Sequence, residues 1–208
     1  MNFFKKLSGF ILPKEVDFFG NLNQQSTITQ QIVNTLYSIY IEKSKTSIQL
    51  DEAIREANEL RIRNLAELNN VLITPVDKEA ISRVYLSLDW IVLSIKHLDV
   101  EIGAYKISSL AEYQKIFIFL KEQMGKIDEC FILLKEKKYN KVLREINDII
   151  RLDDELIKEY SVQLSALFES DSTKHILRHK EILTQLKEVS KRIHVCATTI
   201  EDIVFKMN

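Results

Sequence analysis

The scarcity of glycine and proline is the feature that most restricts what this chain can fold into. Its 208 residues include four glycines and two prolines, against an average usage of about 7% and 5%. Strands, tight turns and long loops depend on these residues, so the chain has few places to reverse direction. An apolar repeat of helical period continues from about residue 15 to the end. Together these observations predict an all-α fold.

Six helices are predicted, in two groups of three. The first group covers about residues 14–45, 46–72 and 75–105, with a break expected near Gly20. In the second group, one helix begins just after Ser109, and the next begins near Tyr139 and is ended by the polar segment ESDST at 169–173. The last helix follows that segment. The matching layout predicts one domain, residues 1–208, built from two three-helix repeats at about 14–105 and 108–206. Because the connectors are short, neighbouring helices should be antiparallel and form an elongated six-helix bundle.

Two helix starts have capping patterns. The segment after helix two fits a capping box, with Thr74 as the N-cap, Pro75 at the first helical position and Asp77 at the third. The two polar side chains would accept from unpaired backbone N–H groups, and Pro75 has no N–H group to satisfy. Ser109 and Glu112 fit a second capping box. These patterns predict that helix three begins at Pro75 and that helix four begins just after Ser109.

Apolar stripes on the last three helices define the predicted core. On helix four the stripe is Leu110, Tyr113, Phe117, Leu120, Met124, Ile127, Phe131 and Leu134. On helix five it is Leu143, Ile146, Ile150, Ile157, Tyr160, Leu164 and Leu167. On helix six it is Leu186, Val189, Ile193, Cys196, Ile200 and Ile203. The spacing of each set places its members on one helical face.

Charge and composition argue against several classes of function. The 29 basic and 30 acidic residues are spread evenly and give a net charge of −1, so no nucleic-acid partner is expected. No apolar run reaches the roughly 18 residues that a membrane-spanning helix needs. Cys130 and Cys196 lie in apolar helical patterns without a CxxC motif. They are expected to be reduced core residues of a cytoplasmic protein.

The N-terminal segment MNFFKKLSGFILPKE is apolar and basic. It lacks the long apolar region and the small-residue cleavage site of a signal peptide. Phe3, Phe4 and Phe10 suit packing on the bundle, which we favour, or contact with a membrane surface. We therefore expect a cytoplasmic protein, with a peripheral position on the inner face of the membrane as the alternative.

Four segments, in this order and spacing, carry a family resemblance. They are FILPKEVDFF at 10–19, LITPVDKEAISRVYLSLDWIV at 72–92, QLSALFES at 163–170 and HKEILTQLKEVSKRIHVCATTIEDIVFKM at 179–207. The chain resembles the PhoU-like family of phosphate transport regulators, in the divergent branch often encoded beside Pit-type phosphate permeases. The most specific element is TPVDKE followed by Leu88 and Asp89.

This resemblance implies a fold, a role and a partner. It implies a six-helix bundle of two three-helix repeats, and a cytoplasmic regulator rather than an enzyme. It also implies a Pit-type phosphate permease as the partner. In the wider family, acidic motifs of the form E/D-x-x-x-D on the inner helices can bind clusters of iron or other divalent metals. Residues four apart on a helix share a face, so two carboxylates of this spacing can point towards one ion.

In the first repeat, most positions of this metal motif have lost their carboxylates. Ile54 and Asn58 stand where the resemblance implies acids on helix two, and Glu56 remains between them. On helix three only Asp89 remains, because Trp90 and Leu93 stand where the resemblance implies two further acids.

The second repeat has lost more of the motif. Asp153 takes the first acidic place on helix five and Ile157 the second. Helix six has Lys187, Glu188 and Lys191 in the acidic stretch, followed by His194 and Val195 in place of an acidic pair. Lysines at these positions would repel cations. We therefore expect no resident metal; Glu56, Asp89 and Asp153 are the remaining candidate ligands if iron or another divalent ion does bind.

Asp153 falls among the core positions of helix five, and a buried acid needs a partner. A lysine or arginine of helix six, or Tyr160, would serve. A residual metal site and exposure at an edge of the bundle are the alternatives for Asp153, and the same alternatives apply to Asp89.

The remaining acids and histidines suggest no second site. The pairs Glu52/Glu56 and Glu155/Glu159 have ligand spacing, but they lie off the apolar stripes and are expected on solvated faces. His175 and His179 are four residues apart, a spacing that can bind zinc. Because no third ligand lies nearby in the sequence, we expect both histidines to lie on the surface without a bound metal. His97 and His194 join no constellation, no catalytic grouping is visible, and the chain is not expected to be an enzyme.

Three functions remain. The first is a regulator or accessory protein of inorganic phosphate transport that acts through protein–protein contact. The second is a metal-binding bundle in which Glu56, Asp89 and Asp153 keep a reduced carboxylate site. The third is a structural helical adaptor for another partner. The face around Trp90 and the N-terminal phenylalanines are candidate contact surfaces, and a homodimer is compatible with such a bundle.

Overall fold

Residues 16–44 and 47–207 are described by a computed structural model, and this part of the chain has six α-helices and no β-strand. The helices are α1 (Phe18–Tyr40), α2 (Ser47–Asn70), α3 (Lys78–Tyr105), α4 (Gln114–Lys135), α5 (Tyr139–Phe168) and α6 (Thr173–Met207). A short 3-10 turn, Ala111–Tyr113, leads into α4. The predicted all-α fold with six helices is confirmed. The phenylalanines expected to pack on the bundle, Phe3, Phe4 and Phe10, lie outside the described residues.

The first helix has no break at Gly20. Asp17 caps α1, because its Oδ1 accepts a hydrogen bond from the Gly20 amide at 2.9 Å. The polar residues after Gly20 continue the helix, and Gln25, Ser26 and Thr29 are buried in it. The expected break was wrong because one glycine costs a helix only about 1 kcal/mol, which burial of the rest of α1 outweighs.

Both predicted capping boxes were also wrong in detail. The cap of α3 is Asp77, whose Oδ1 accepts from the Ala80 amide at 2.8 Å, so the helix begins three residues after Pro75. Thr74 instead donates its hydroxyl proton to the Val76 carbonyl at 2.5 Å. Asp77 competes well for the cap because aspartate is a better N-cap than threonine. Its Oδ2 also pairs with Lys206 at the end of α6, at 2.7 Å.

At the second predicted box, the 3-10 turn replaces the first turn of α4 and no side chain caps it. Ser109 Oγ accepts from the Ala111 amide at 3.3 Å rather than from the third helical residue. Glu112 contacts His179 of α6. The acidic side chain expected to complete the box is therefore engaged in a contact between helices.

Helix packing follows the same scheme in each half of the chain. Helix α2 packs on α1 and α3, and α5 packs on α4 and α6. The halves meet through α1 against α4 and α3 against α6. Four helices, α1, α3, α4 and α6, thus surround the centre, with α2 and α5 on opposite flanks. The boundaries of the two predicted repeats, about 14–105 and 108–206, stay a prediction.

The core agrees with the predicted stripes on two of the last three helices. All eight stripe positions of α4 and its approach, and all six of α6, are buried. On α5 the prediction was right for Ile146 and Leu167, which are buried. The rest of the buried line, Val142, Ile149 and Leu156, lies one position before the predicted residues, and Ile157 is exposed. Helix α5 is rich in leucine and isoleucine on two adjacent stripes, so periodicity alone did not decide which stripe faces α4 and α6.

The helices bury both cysteines, and none of those described is suited to cross a membrane. Cys130 and Cys196 are both buried and unpaired. Among the helices of residues 16–44 and 47–207, none combines the length and apolar character needed to cross a membrane.

Candidate functional site

A cleft between α2 and α3 brings together positions of the metal motif from the first repeat. It has a volume of about 420 Å³, and its lining includes Ile54 and Asn58 from α2 and Asp89 and Leu93 from α3. The two motif segments therefore do face each other. Asp51 also lines the cleft, outside the motif positions. Two of the four motif side chains are aliphatic and one is an amide, so Asp89 is the single carboxylate left among them.

That carboxylate is paired with a cation of its own chain. Arg61 Nε lies 3.0 Å from Asp89 Oδ1, and both side chains are mostly shielded from solvent. Burial raises the pKa of Asp89 above its ordinary value, and the charge of Arg61 opposes this shift. Arg61 thus favours the ionised form of Asp89 and links α2 to α3.

Glu56 does not line this cleft. It lies on the exposed face of α2 with Glu52 and Glu59, on either side of Arg55. The structure therefore separates Glu56 from Asp89, although both were candidate ligands. A row of glutamates around an arginine on an exposed face is typical of a solvated helix surface.

In the second half of the chain, Asp153 is the centre of a polar network between α5 and α6. Its residue surface is only 7% exposed. The Ser190 hydroxyl donates to Oδ1 at 2.6 Å, and His194 Nδ1 lies 2.8 Å from Oδ2. Gln123 of α4 extends the network, with its Oε1 3.0 Å from Ser190 Oγ. A network of this kind meets the hydrogen-bonding needs of a buried acid.

The partners of Asp153 differ from those expected. No lysine or arginine of α6 pairs with it, and Tyr160 packs under the ammonium group of Lys187 at 4.4 Å. His194, which was not expected to belong to any site, is instead a partner of the Asp153 carboxylate. The signal in the sequence was the spacing of Ser190 and His194, which puts both on one face of α6. The spacing did not show that both side chains contact Asp153 on α5.

The arrangement brings Ser, His and Asp together without the order that nucleophilic catalysis requires. Both the serine and the histidine bind the carboxylate, whereas a nucleophilic serine must be bonded to the histidine that takes its proton. The network links helices and positions no nucleophile.

The expectation of a solvated face was wrong for Glu159. This residue is buried, and its carboxylate pairs with Lys115 of α4 at 2.7 Å and accepts from Gln163 at 2.8 Å. The lysine contact and the Gln163 hydrogen bond lower the pKa of Glu159 despite partial burial. Glu159 lies nearly two turns after Asp153 on the same buried line of α5, which the predicted stripe had missed.

The side chains present do not form the donor set of a carboxylate-bridged metal cluster. Within the described ranges, no three His, Cys, Asp or Glu side chains gather closely enough to hold an ion. Asp89 is engaged by Arg61, and Asp153 by Ser190 and His194. A divalent ion at either carboxylate would compete with these partners of the same chain.

The histidine pair at the start of α6 is partly buried, contrary to the expected surface placement. His179 is 8% exposed, and its Nδ1 lies 2.9 Å from the Tyr113 hydroxyl and 2.8 Å from Glu112 Oε1. His175 is exposed and its ring centre lies 4.1 Å from that of His179. Burial lowers the pKa of His179, an effect that the Glu112 carboxylate partly offsets.

Comparison with known proteins places this geometry in context. No protein-family model matches the chain. The UPF0111 protein YkaA of Bacillus subtilis (strain 168) is 26% identical over 145 residues, which cover 68% of this chain and 70% of YkaA. A crystal structure of a PhoU-like protein from Shewanella oneidensis MR-1 matches with a TM-score of 0.74 at 12% identity, over 91% of this chain and 99% of that one. The chain has a PhoU-like fold.

A second PhoU-like structure from the same bacterium, described as a candidate phosphate regulatory protein, matches with a TM-score of 0.68 at 10% identity. It covers 91% of this chain and 99% of its own. The resemblance predicted from four sequence segments is thus confirmed for the PhoU-like fold. The narrower placement beside Pit-type permeases stays a prediction.

Proposed function

We propose that this chain regulates inorganic phosphate transport by direct contact with a transport protein, without catalysis and without a resident metal. The PhoU-like fold, which extends over 91% of the chain, is the observation that carries the proposal. One protein of the same fold is described as a candidate phosphate regulatory protein. The partner we propose is a Pit-type phosphate permease, approached from the cytoplasmic side of the membrane.

The internal pairing of the candidate ligands supports a metal-free mode of action. Arg61 already neutralises Asp89, and the Asp153 carboxylate already has two partners. Elemental analysis of protein purified without chelators tests this part. Less than a tenth of an equivalent of any transition metal is the expected result, and a full equivalent of iron would contradict it.

Leu72 and Ile73 support a contact function, because they are large apolar side chains left uncovered. They are 86% and 76% exposed and adjacent in the connection between α2 and α3. Large apolar side chains grouped on a surface are typical of a protein interface. Trp90 of α3 is half exposed with the Arg192 guanidinium 5.2 Å from its ring centre, and offers a second apolar anchor.

The proposal is tested by phosphate uptake and co-purification in cells that lack the chromosomal copy of this chain. Wild-type chain should restore the normal rate of radiolabelled phosphate uptake and should co-purify with the permease from detergent-solubilised membranes. The double variant Leu72→Asp, Ile73→Asp should lose both activities while keeping its helical circular dichroism.

The matched control is Val100→Asp, Val162→Asp, because these two valines are also exposed but lie on α3 and α5. It should behave as the wild type. Unchanged uptake after deletion, together with no permease in the purified material, would exclude this function. Sedimentation velocity of the wild type and of both variants shows whether Leu72 and Ile73 join two copies of the chain instead.

A further inference from the structure

A second cleft, unrelated to the candidate ligands, lies where the connection between α3 and α4 meets the start of α6. Its volume is about 340 Å³, within the range of roughly 300–1,000 Å³ typical of small-molecule sites. Lys106, Ser108 and Ser109 line it from the connection, and Ser172, Lys174 and Arg178 line it from α6 and its cap. His175 and His179 complete the polar lining.

The cleft has cations and no carboxylate in its lining. Within the described residues, none of Lys106, Lys174 and Arg178 makes an ion pair or a hydrogen bond through its side chain. Lysines elsewhere on the bundle, such as Lys115 and Lys126, are paired with glutamates. Three cationic groups therefore surround one concave space without internal neutralisation.

The position of these cations on α6 is unfavourable for the helix itself. The first turn of α6 has no acidic residue, and Lys174, His175 and Arg178 all lie in its first two turns. Because the N-terminus of a helix carries a partial positive charge, cations there are destabilising and anions are stabilising. Ser172 caps the helix by accepting from the His175 amide at 3.3 Å, which leaves the charge uncompensated. An anion in the cleft would relieve this repulsion.

His179 provides a fixed polar group at the inner wall. The residue is 8% exposed and its side chain 11%, and Tyr113 and Glu112 both contact its Nδ1. Its Nε2 makes no hydrogen bond to any described residue. The Nδ1 contacts fix the ring, so the unpartnered Nε2 is the edge left for a ligand in the cleft.

We propose that this cleft binds a small tetrahedral oxyanion of the phosphate class. Arg178 offers a planar pair of N–H donors, which suits two oxygens of such an anion. Lys174 and Lys106 balance its charge from the two sides of the cleft, and the serine hydroxyls and His179 supply directional hydrogen bonds. The proposal stands on the chemistry of this cleft and does not rest on contact with a transporter.

Isothermal titration calorimetry of the full chain with inorganic phosphate, in chloride buffer at constant ionic strength, tests the proposal. The wild type should show saturable binding of one phosphate per chain. The variant Lys174→Gln, Arg178→Gln should bind at least about tenfold more weakly, because each lost charge-assisted hydrogen bond is typically worth about a factor of ten. The matched control Lys180→Gln, Lys191→Gln removes the same charge from exposed positions of α6 outside the cleft, and should bind within about twofold of the wild type.

Amide chemical shifts of the wild-type chain give a readout that does not depend on a variant. Added phosphate should shift the resonances of residues 106–109 and 172–179 before any others. Adenosine monophosphate, titrated in the same way, separates the free ion from a phosphoryl group of a larger ligand, since the tighter binder identifies the source. Absence of saturable binding at millimolar phosphate, or equal weakening in the two double variants, would overturn the proposal.

Discussion

His194 Nδ1 lies 2.8 Å from Asp153 Oδ2, so an imidazole of α6 and a carboxylate of α5 are joined at a nearly buried position. In the other half of the chain, Arg61 of α2 lies 3.0 Å from Asp89 of α3. Both contacts link the flanking helix of a half to the helix that follows it. In this chain, a charge pair and a polar network link the helices on which the resemblance placed the acidic motifs.

The Asp153 network should contribute measurably to stability. Asp153→Ala leaves Ser190 and His194 without their acceptor, and should lower the free energy of unfolding by about 2–3 kcal/mol. Asp153→Asn, which keeps hydrogen-bonding atoms at the same place, should cost less. Urea denaturation followed by circular dichroism measures both. The control is Asp154→Ala, an exposed neighbour, which should change stability by no more than about 0.5 kcal/mol. Equal effects of the Asp153 and Asp154 alanine variants would show that the network does not stabilise the fold.

The ion pair in the α2–α3 cleft should be visible in the titration of Asp89. Burial raises the pKa of this carboxyl above 3.8, and Arg61 limits the rise. Carbon-detected NMR should show Asp89 titrating above 3.8 in the wild type and higher again in Arg61→Met. Because the folded state then binds the proton more tightly, the stability contributed by Asp89 falls as the pH rises through this window. Arg63→Met, which changes an exposed residue of the same helix, should leave the titration where it was.

The two cysteines should be unreactive in the native protein. Burial raises the pKa of Cys196 to about 12 and raises that of Cys130 as well. Since the thiolate is the reactive form, neither residue should react with Ellman's reagent at neutral pH within the time of the assay. Both should react fully in guanidinium chloride. Stoichiometric labelling under native conditions would mean that the packing around α4 and α6 opens readily.

The stability of the bundle should fall in mild acid because of His179. Burial holds the pKa of this imidazole below 6.5, so the unfolded state takes up a proton before the folded state does. The free energy of unfolding should therefore decrease as the pH falls below about 6.5, down to the folded pKa. The groups facing the ring are Tyr113, Glu112 and His175. Denaturation midpoints measured across this range provide the test. His179→Gln should flatten the dependence, and His97→Gln, on an exposed part of α3, should preserve it.

Helical pattern and composition were sufficient for the architecture. Few glycines and prolines, together with long apolar stripes, allow only helices, and the stripes of α4 and α6 were identified residue by residue. On α5 the same reasoning identified Ile146 and Leu167 correctly but placed most of the stripe one position away from the buried line. That helix packs on two neighbours and carries apolar residues on two adjacent lines, so its orientation depends on how α4 and α6 are placed.

For the candidate site too, some features could be predicted from the sequence and others depended on the tertiary structure. The sequence could supply only what lies along one helix: it has Ile54, Asn58 and Leu93 at positions where the resemblance implies carboxylates, and that loss stays a prediction. Only the tertiary structure decided that Asp89 pairs with Arg61, that Asp153 bonds to Ser190 and His194, and that His179 is buried beside a cationic cleft. Each of those contacts joins residues of different helices. The partner of a buried polar group is set by helix packing and rotation, which periodicity within one helix does not encode.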